Sequence, residues 1–244
     1  MIKNAKGSRM TYTLIAGCPG TGKLGIGIAT YSLAVGGYCP LVRGQLGAVS
    51  TQAFVNLKLG RLALNLLAQG FAAAKVMAEL AEDDPKFDYR QVGIVAADGA
   101  VAAHTGPKTQ PWSGHVTGPG YLAMGNVLAG EGVIQAMAEA FRAGETEPLE
   151  ERLLRALEAG RDAGGQQAAD GTHLSERSAA LIVHAHRDYG ELDLRVDARP
   201  QAVDELRRLY TLYKPYVPYY QLRHRAPEET PPQALWVREH DAEI

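Results

Sequence analysis

A chain of 244 residues, 46% of them apolar, holds one large domain or two small ones with a sizeable core. Its formal net charge of −2, with no long run of one sign, excludes the electrostatic footprint of a nucleic-acid partner or a membrane surface. No stretch approaches the ~20 apolar residues that span a bilayer, and the basic first nine residues lack the apolar segment of a secretory signal, so the expectation is a cytoplasmic protein whose Cys18 and Cys39 are free thiols.

Residues 1–10 read as an N-terminal extension, and the first structured segment begins at Thr11. Residues 16–25, AGCPGTGKLG, fit the phosphate-loop pattern G-x-x-x-x-G-K through Gly17, Gly22 and Lys23. A phosphate loop needs a helix after it and a hydroxyl after the lysine to hold magnesium. Here Leu24 follows Lys23, and LGIGIATYS alternates large and small residues with period two, which is a strand. Segments 11–17 and 23–30 therefore read as a β-hairpin about a Pro/Gly turn, not as a nucleotide site. The small face of the second strand, Gly25, Gly27 and Ala29, predicts close approach by another element.

Further along, GAVSTQAF (47–54) reads as a strand, and Asn56 to about Gln69 as a helix with Leu59, Leu62 and Leu66 on one face. A second helix ends near Pro85, and a hairpin turns at Asp98-Gly99. GYLAMGNVL is a strand, 131–142 and 148–159 are helices, and Gly160–Thr172 is a glycine-rich loop. SAALIVHAHR and LDLRVD are strands, and a helix runs from after Pro200 to about Tyr213. The tail, 214–244, carries too many prolines for regular structure. It is expected to pack through Tyr216, Tyr219 and Tyr220 along the surface or across a subunit boundary, which predicts a homo-oligomer, a dimer or larger. Hairpins imply antiparallel sheets, and paired helices need a sheet face for their apolar stripes. The expected fold is α+β, a four-layer α/β/β/α sandwich of two antiparallel sheets spanning residues 11–213 as one domain.

The stretches MTYTLIA, GKLGIGIAT, AVGGYCP, GAVSTQAF, YRQVGIV, VAAHTG, GYLAMGNVLAG, LLRALEAG, RSAALIV and LDLRVDARP, in this order, resemble domain-of-unknown-function family 1028, which is grouped with the N-terminal-nucleophile hydrolases. The resemblance runs from Thr11 to the helix after Pro200 and implies the same sandwich fold. Two positions depart from the family pattern: Met124 precedes Gly125-Asn126 where glutamine is frequent, and Arg177 precedes Ser178 where glutamine is expected.

The resemblance implies a first-residue nucleophile at Thr11, with its free α-amine (pKa near ~8) as the base. Thr11 follows Met10, so either residues 1–10 are absent from the mature chain or Thr11 is a β-branched first strand residue. The hairpin register sets Thr30 beside it, as a catalytic neighbour or an edge hydroxyl. Asn126, at a strand end, could donate to an oxyanion or occupy a turn, and His104 could be a base or a structural histidine. Thr51 and Gln52 could present polar groups to substrate, and Arg43 and Arg177 could grip a carboxylate or form surface ion pairs. One pocket holding Thr11, Thr30, Thr51, His104 and Asn126 is expected, since all lie at strand ends. No metal or cofactor is expected: His184 and His186 share a strand face without further ligands, and Asp193, Arg195 and Asp197 form a charge ladder. The expected activity is hydrolysis of a small amide or related C–N bond in a small-molecule substrate. The alternative is a non-catalytic subunit that binds a small metabolite or serves assembly.

Overall fold

In the computed structural model, which describes residues 10–185 and 190–240, the first hairpin lies at the centre of a six-stranded antiparallel sheet. The strands are β1 (Thr11–Cys18), β2 (Lys23–Thr30), β3 (Pro40–Arg43), β4 (Gly47–Ala53), β5 (Arg90–Ala96), β6 (Val101–Thr105), β7 (Ser113–Gly118), β8 (Tyr121–Asn126), β9 (Gln166–Gln167), β10 (His173–Leu174), β11 (Ser178–His184) and β12 (Gly190–Val196). The helices are α1 (Leu57–Ala68), α2 (Ala73–Asp83), α3 (Glu131–Ala143), α4 (Leu149–Asp162), α5 (Ala202–Tyr213), α6 (Val217–Arg225) and α7 (Gln233–His240).

One sheet has the order β12-β11-β2-β1-β8-β7 and faces a four-stranded sheet, β3-β4-β5-β6. The period-two alternation of β1 sorts its side chains. Tyr12, Leu14 and Ala16 meet Ile134 and Met137 of α3 and Leu153 and Leu157 of α4, while Ile15 turns inward with Ile26, Ile28, Leu122 and Met124. On the far side of the second sheet, Val49, Val92 and Ile94 pack under Leu59 and Ala63 of α1 and Val76 and Leu80 of α2. This is the four-layer α/β/β/α sandwich. Strands β3 and β7 have no counterpart in the sequence reading: PLVR is short, and SGHVTG carries too little apolar alternation to stand out. No helix among the described residues is long and apolar enough to cross a membrane.

The G-x-x-x-x-G-K segment is the turn between β1 and β2, with Gly22 at φ +66°. Lys23 Nζ lies 3.0 Å from Glu191 Oε2 and 3.4 Å from Glu150 Oε2, so the lysine is committed to carboxylates. The tail corrects one expectation. Three of its prolines sit in the first turns of short helices, Pro215 in a 3-10 turn (Lys214–Tyr216), Pro218 in α6 and Pro227 in a second 3-10 turn (Pro227–Glu229), where a missing N–H breaks no helical bond. Its aromatic rings pack against one another and against α5, with centroids 5.2 Å apart for Tyr219–Trp236 and 5.7 Å for Tyr220 and Tyr213 of α5.

The small face of β2 receives α4. A Cβ built on Gly27 would lie 3.1 Å from the Leu153 carbonyl oxygen and 3.3 Å from the Leu157 side chain. Because a backbone carbonyl cannot swing aside, Gly27→Val is expected to overpack this seam and cost about 1–3 kcal/mol. Urea denaturation checks this; an unchanged midpoint would mean that α4 is free to shift.

Candidate functional site

Along five strands the inward-facing side chains change from apolar to polar toward one end of the sandwich. In β1, Ile15 gives way to Thr13 and Thr11; in β2, Ile28 to Thr30; in β8, Met124 to Asn126; in β4, Ala48 to Ser50 and Gln52; in β5, Val95 and Gly93 to Gln91. All seven of these polar residues are at most 5% exposed. Buried polar groups must find partners in the protein, and one side chain ties the amides among them together.

That side chain is Gln91. Its two Nε2 hydrogens are shared among three acceptors, the carbonyl oxygens of Gly114 (3.0 Å) and Gly125 (2.9 Å) and Thr105 Oγ1 (2.9 Å). Carbonyl oxygens only accept, so the orientation of the Gln91 amide is fixed. Its Oε1 then accepts from Gln52 Nε2 (2.8 Å) and Asn126 Nδ2 (3.0 Å), which fixes those amides too. Gln52 Oε1 accepts from Thr13 Oγ1 at 2.6 Å. The amide of Gln52 thereby bridges the two sheets beside Thr11, whose carbonyl it also approaches at 3.4 Å. Thr105 Oγ1 also shares a hydrogen bond with His115 Nδ1 at 2.9 Å, whose direction follows the tautomer of the ring. Burial, with the charge of His104 adding to it, holds the His115 pKa below its ordinary value and favours the neutral ring. The Asn126 Oδ1 atom is left as a buried acceptor with no partner among the described residues.

Thr11 is paired across the sheet with Asn126 and lines a cavity of about 350 Å³ with Ser32, Tyr38, Cys39, Val55 and Leu57. Its hydroxyl donates to Thr30 Oγ1 at 3.3 Å. Thr30 Oγ1 also accepts from Ser32 N at 3.2 Å and spends its one proton on the Met10 carbonyl. Ser178 braces the Ser32 side of the cavity, donating to Ser32 O at 2.8 Å and accepting from Val35 N at 3.1 Å.

The opposite wall, Phe54–Leu57, hangs on a buried ion pair. Asn56 caps α1 by accepting from Lys58 N and donates to Asp84 Oδ2 at 2.9 Å. Arg90 Nε donates to the same oxygen at 2.8 Å, and its terminal nitrogen reaches Phe54 O. Burial alone would raise the Asp84 pKa, but the hydrogen bonds from Arg90, Asn56 and Lys86 N prevail and bring it to about 2. Two non-glycine residues with left-handed backbone follow the site's amides directly: Ala53 (φ 63°) after Gln52, and Val127 (φ 54°) after Asn126. A β-branched residue in this region is a true outlier, and such strain persists only where the surroundings impose it.

Of the residues singled out from sequence, Thr11, Thr30, Gln52 and Asn126 come together. The expected single pocket does not form, because strand alternation turns Thr51 and His104 to the helix side of the second sheet. Thr51 Oγ1 bonds Asn56 O at 3.3 Å, and His104 stacks on Phe87 with centroids 4.1 Å apart. Arg43 pairs with Gly47 at the far end of that sheet. Arg177 is exposed, 5.2 Å from the Tyr31 ring. His186 lies outside the described residues, and no cluster of metal ligands occurs among them. Arg195 is engaged with Asp193 at 2.7 Å, as a charge ladder requires. Sequence reasoning missed Gln91 and the cavity residues Ser32, Tyr38, Cys39, Val55 and Leu57. The one available signal for Gln91 was a long amide opening an otherwise apolar strand.

A family model described as "Family of unknown function (DUF1028)" matches residues 11–206. Protein SPO2555 from Silicibacter pomeroyi, whose crystal structure carries the same family model, is 29% identical, with 84% of this chain and 86% of that one covered at a TM-score of 0.76. Anbu (ancestral beta-subunit) from Yersinia bercovieri is 10% identical over 82% of this chain and 92% of that one, at a TM-score of 0.39, too low to carry an argument. No curated protein matches significantly.

Gln91→Leu strands Asn126, Gln52 and two carbonyls at once. At ~1–3 kcal/mol for a stranded group, the expected loss of stability is about 3 kcal/mol or more, read by urea denaturation; a loss under about 1 kcal/mol would show that the network is dispensable. The Asp84 carboxyl has a folded-state pKa below its unfolded value, so its contribution is complete above about pH 4 and disappears as pH falls toward 2. On the order of 2 kcal/mol is at stake. Asp84→Asn should flatten the stability profile across that window, and an unchanged profile would remove the ion pair as the wall's anchor.

Proposed function

The chain belongs to the DUF1028 family of unknown function, and on that footing we propose that it is an N-terminal-nucleophile-type hydrolase acting on a small amide or related C–N bond. The observation that carries the reading is the buried Thr11 hydroxyl, hydrogen-bonded to Thr30 on the wall of a cavity of about 350 Å³.

The reaction needs a chain that begins at Thr11, because an amide nitrogen acylated by Met10 cannot act as a base. The family match also starts at residue 11. In that form the α-amine accepts the Oγ1 proton, and Oγ1 attacks the substrate carbonyl. The tetrahedral oxyanion takes hydrogen bonds from the Thr30 hydroxyl, freed of Met10, and from the remaining N–H of Asn126 Nδ2. The α-ammonium returns its proton to the leaving nitrogen as the C–N bond breaks, giving a Thr11 ester. Water, deprotonated by the same amine, hydrolyses that ester and regenerates the enzyme. Asn126 Oδ1, a buried acceptor on the neighbouring strand, suits the charged amine. The rival reading, a non-catalytic binding or assembly subunit, draws on the hydrogen bond from Thr30 to the Met10 carbonyl, which seals the nucleophile's nitrogen. Association into a homo-oligomer through the tail is part of the proposal, on the aromatic cluster of Tyr216, Tyr219, Tyr220 and Trp236 and the half-exposed Leu235.

The mature N-terminus decides between the readings. Protein beginning at Thr11 is expected to hydrolyse at least one member of a small-amide library. Thr11→Ala should drop turnover to background with thermal stability nearly unchanged. A native chain that keeps Met10, or full turnover in Thr11→Ala, would refute the enzyme. Light scattering should give a mass above 26.2 kDa that falls when residues after Tyr213 are removed; a monomer in both cases would refute the assembly.

A further inference from the structure

We propose that the cavity beside Thr11 accepts an uncharged, chiefly apolar acyl group, so that the substrate is the carboxamide of a neutral acid. This rests on the hydrolase reading and adds the substrate class to it.

Among the described residues, six line the cavity, and none of these is Asp, Glu, Lys, Arg or His. Val55 and Leu57 supply aliphatic wall and Tyr38 an aromatic ring. Thr11, Ser32 and Cys39 supply hydroxyl and thiol groups that can hydrogen-bond an amide but cannot neutralise a charge. The ionic groups behind this wall are already matched: Asp84 and Arg90 hold each other, and Arg90 also holds Phe54 O. On the side of the loop after Thr30, Arg177 lies over the face of Tyr31. In the chain that keeps Met10, a carboxylate or ammonium entering the cavity would lose water and meet no opposite charge among the described lining residues, which is strongly unfavourable. Leu57 on the wall and Leu33, next to Ser32, are 50% and 45% exposed, apolar surface that a bound apolar group would cover.

The test uses the full chain with Met10 in place, so that binding is read without turnover. Protein-observed NMR titration would compare phenylbutyramide with its para-carboxy and para-aminomethyl analogues. The neutral amide is expected to bind with shifts at Ser32, Tyr38 and Leu57, and both charged analogues about tenfold more weakly or worse. Leu57 is the first residue of α1, where an aspartate suits the helix dipole, so Leu57→Asp should fold. It is expected to weaken phenylbutyramide about tenfold and to make the para-aminomethyl analogue the tightest of the three. No binding of phenylbutyramide, equal or tighter binding of the para-carboxy analogue, or no change of preference in Leu57→Asp would each overturn the proposal. The expected pattern without turnover by the form beginning at Thr11 would retain the cavity's specificity and remove the hydrolase. Turnover with a preference for charged amides would do the reverse.

Discussion

The amides at the polar end of the sandwich are arranged around the need of the Gln91 side chain to be satisfied. A primary amide sealed between two sheets has no water to fall back on, and an unmet donor or acceptor there costs about 1–3 kcal/mol. Gln91 meets this by facing two backbone carbonyls of the six-stranded sheet, and so only one of its ends can face Gln52 and Asn126. The orientation of one side chain thus sets the donor and acceptor pattern of the next two, and with it the groups presented beside Thr11. Cooperative networks of this kind are rigid when complete and unstable when broken.

The same network accounts for strain nearby. Ala53 and Val127 adopt left-handed backbone at the residues immediately after Gln52 and Asn126. Each strand has to leave its sheet just past an amide that cannot move, and the backbone absorbs the change of direction. Val127 N donates to Gln110 O at 3.2 Å and Val127 O accepts from Gln167 N at 3.0 Å, so the strained residue is held from both sides. Opposite, the Asp84–Arg90–Asn56 cluster fixes the chain after Ala53, which is why the cavity has a firm wall at Val55 and Leu57.

The sandwich was legible because its signals are periodic. Alternation in LGIGIATYS and the Asp98-Gly99 turn located hairpins, and the leucine spacing in α1 located a helix that covers the four-stranded sheet. The β1–β2 register carried Thr30 to Thr11 from sequence alone. What failed was the treatment of strand ends as one neighbourhood. Thr51 and Gln52 are consecutive, yet alternation sends Gln52 between the sheets and Thr51 under α1, and His104 is turned away from Thr105 in the same manner. A count of strand parity would have separated them. Ser32, Tyr38, Cys39, Val55 and Leu57 were beyond such a count, because the cavity they line is made by two loops meeting in space.

Thr30 links the fold to the proposed chemistry through the number of its protons. A hydroxyl has one hydrogen to give, and in the chain as it stands that hydrogen goes to the Met10 carbonyl while the lone pairs take those of Thr11 and Ser32 N. The arrangement therefore commits the proton of the Thr11 hydroxyl to Thr30. Removing Met10 deletes the one acceptor that uses the Thr30 proton. The freed hydrogen can then point elsewhere, and Thr11 gains an amine as an alternative acceptor for its own proton. In the proposed hydrolase, a single peptide bond governs whether this pair of threonines serves as a structural staple of the first hairpin or as the reactive corner of a cavity. No side chain has to move for the change, because Gln52, Gln91 and Asn126 are held by bonds that do not involve Met10.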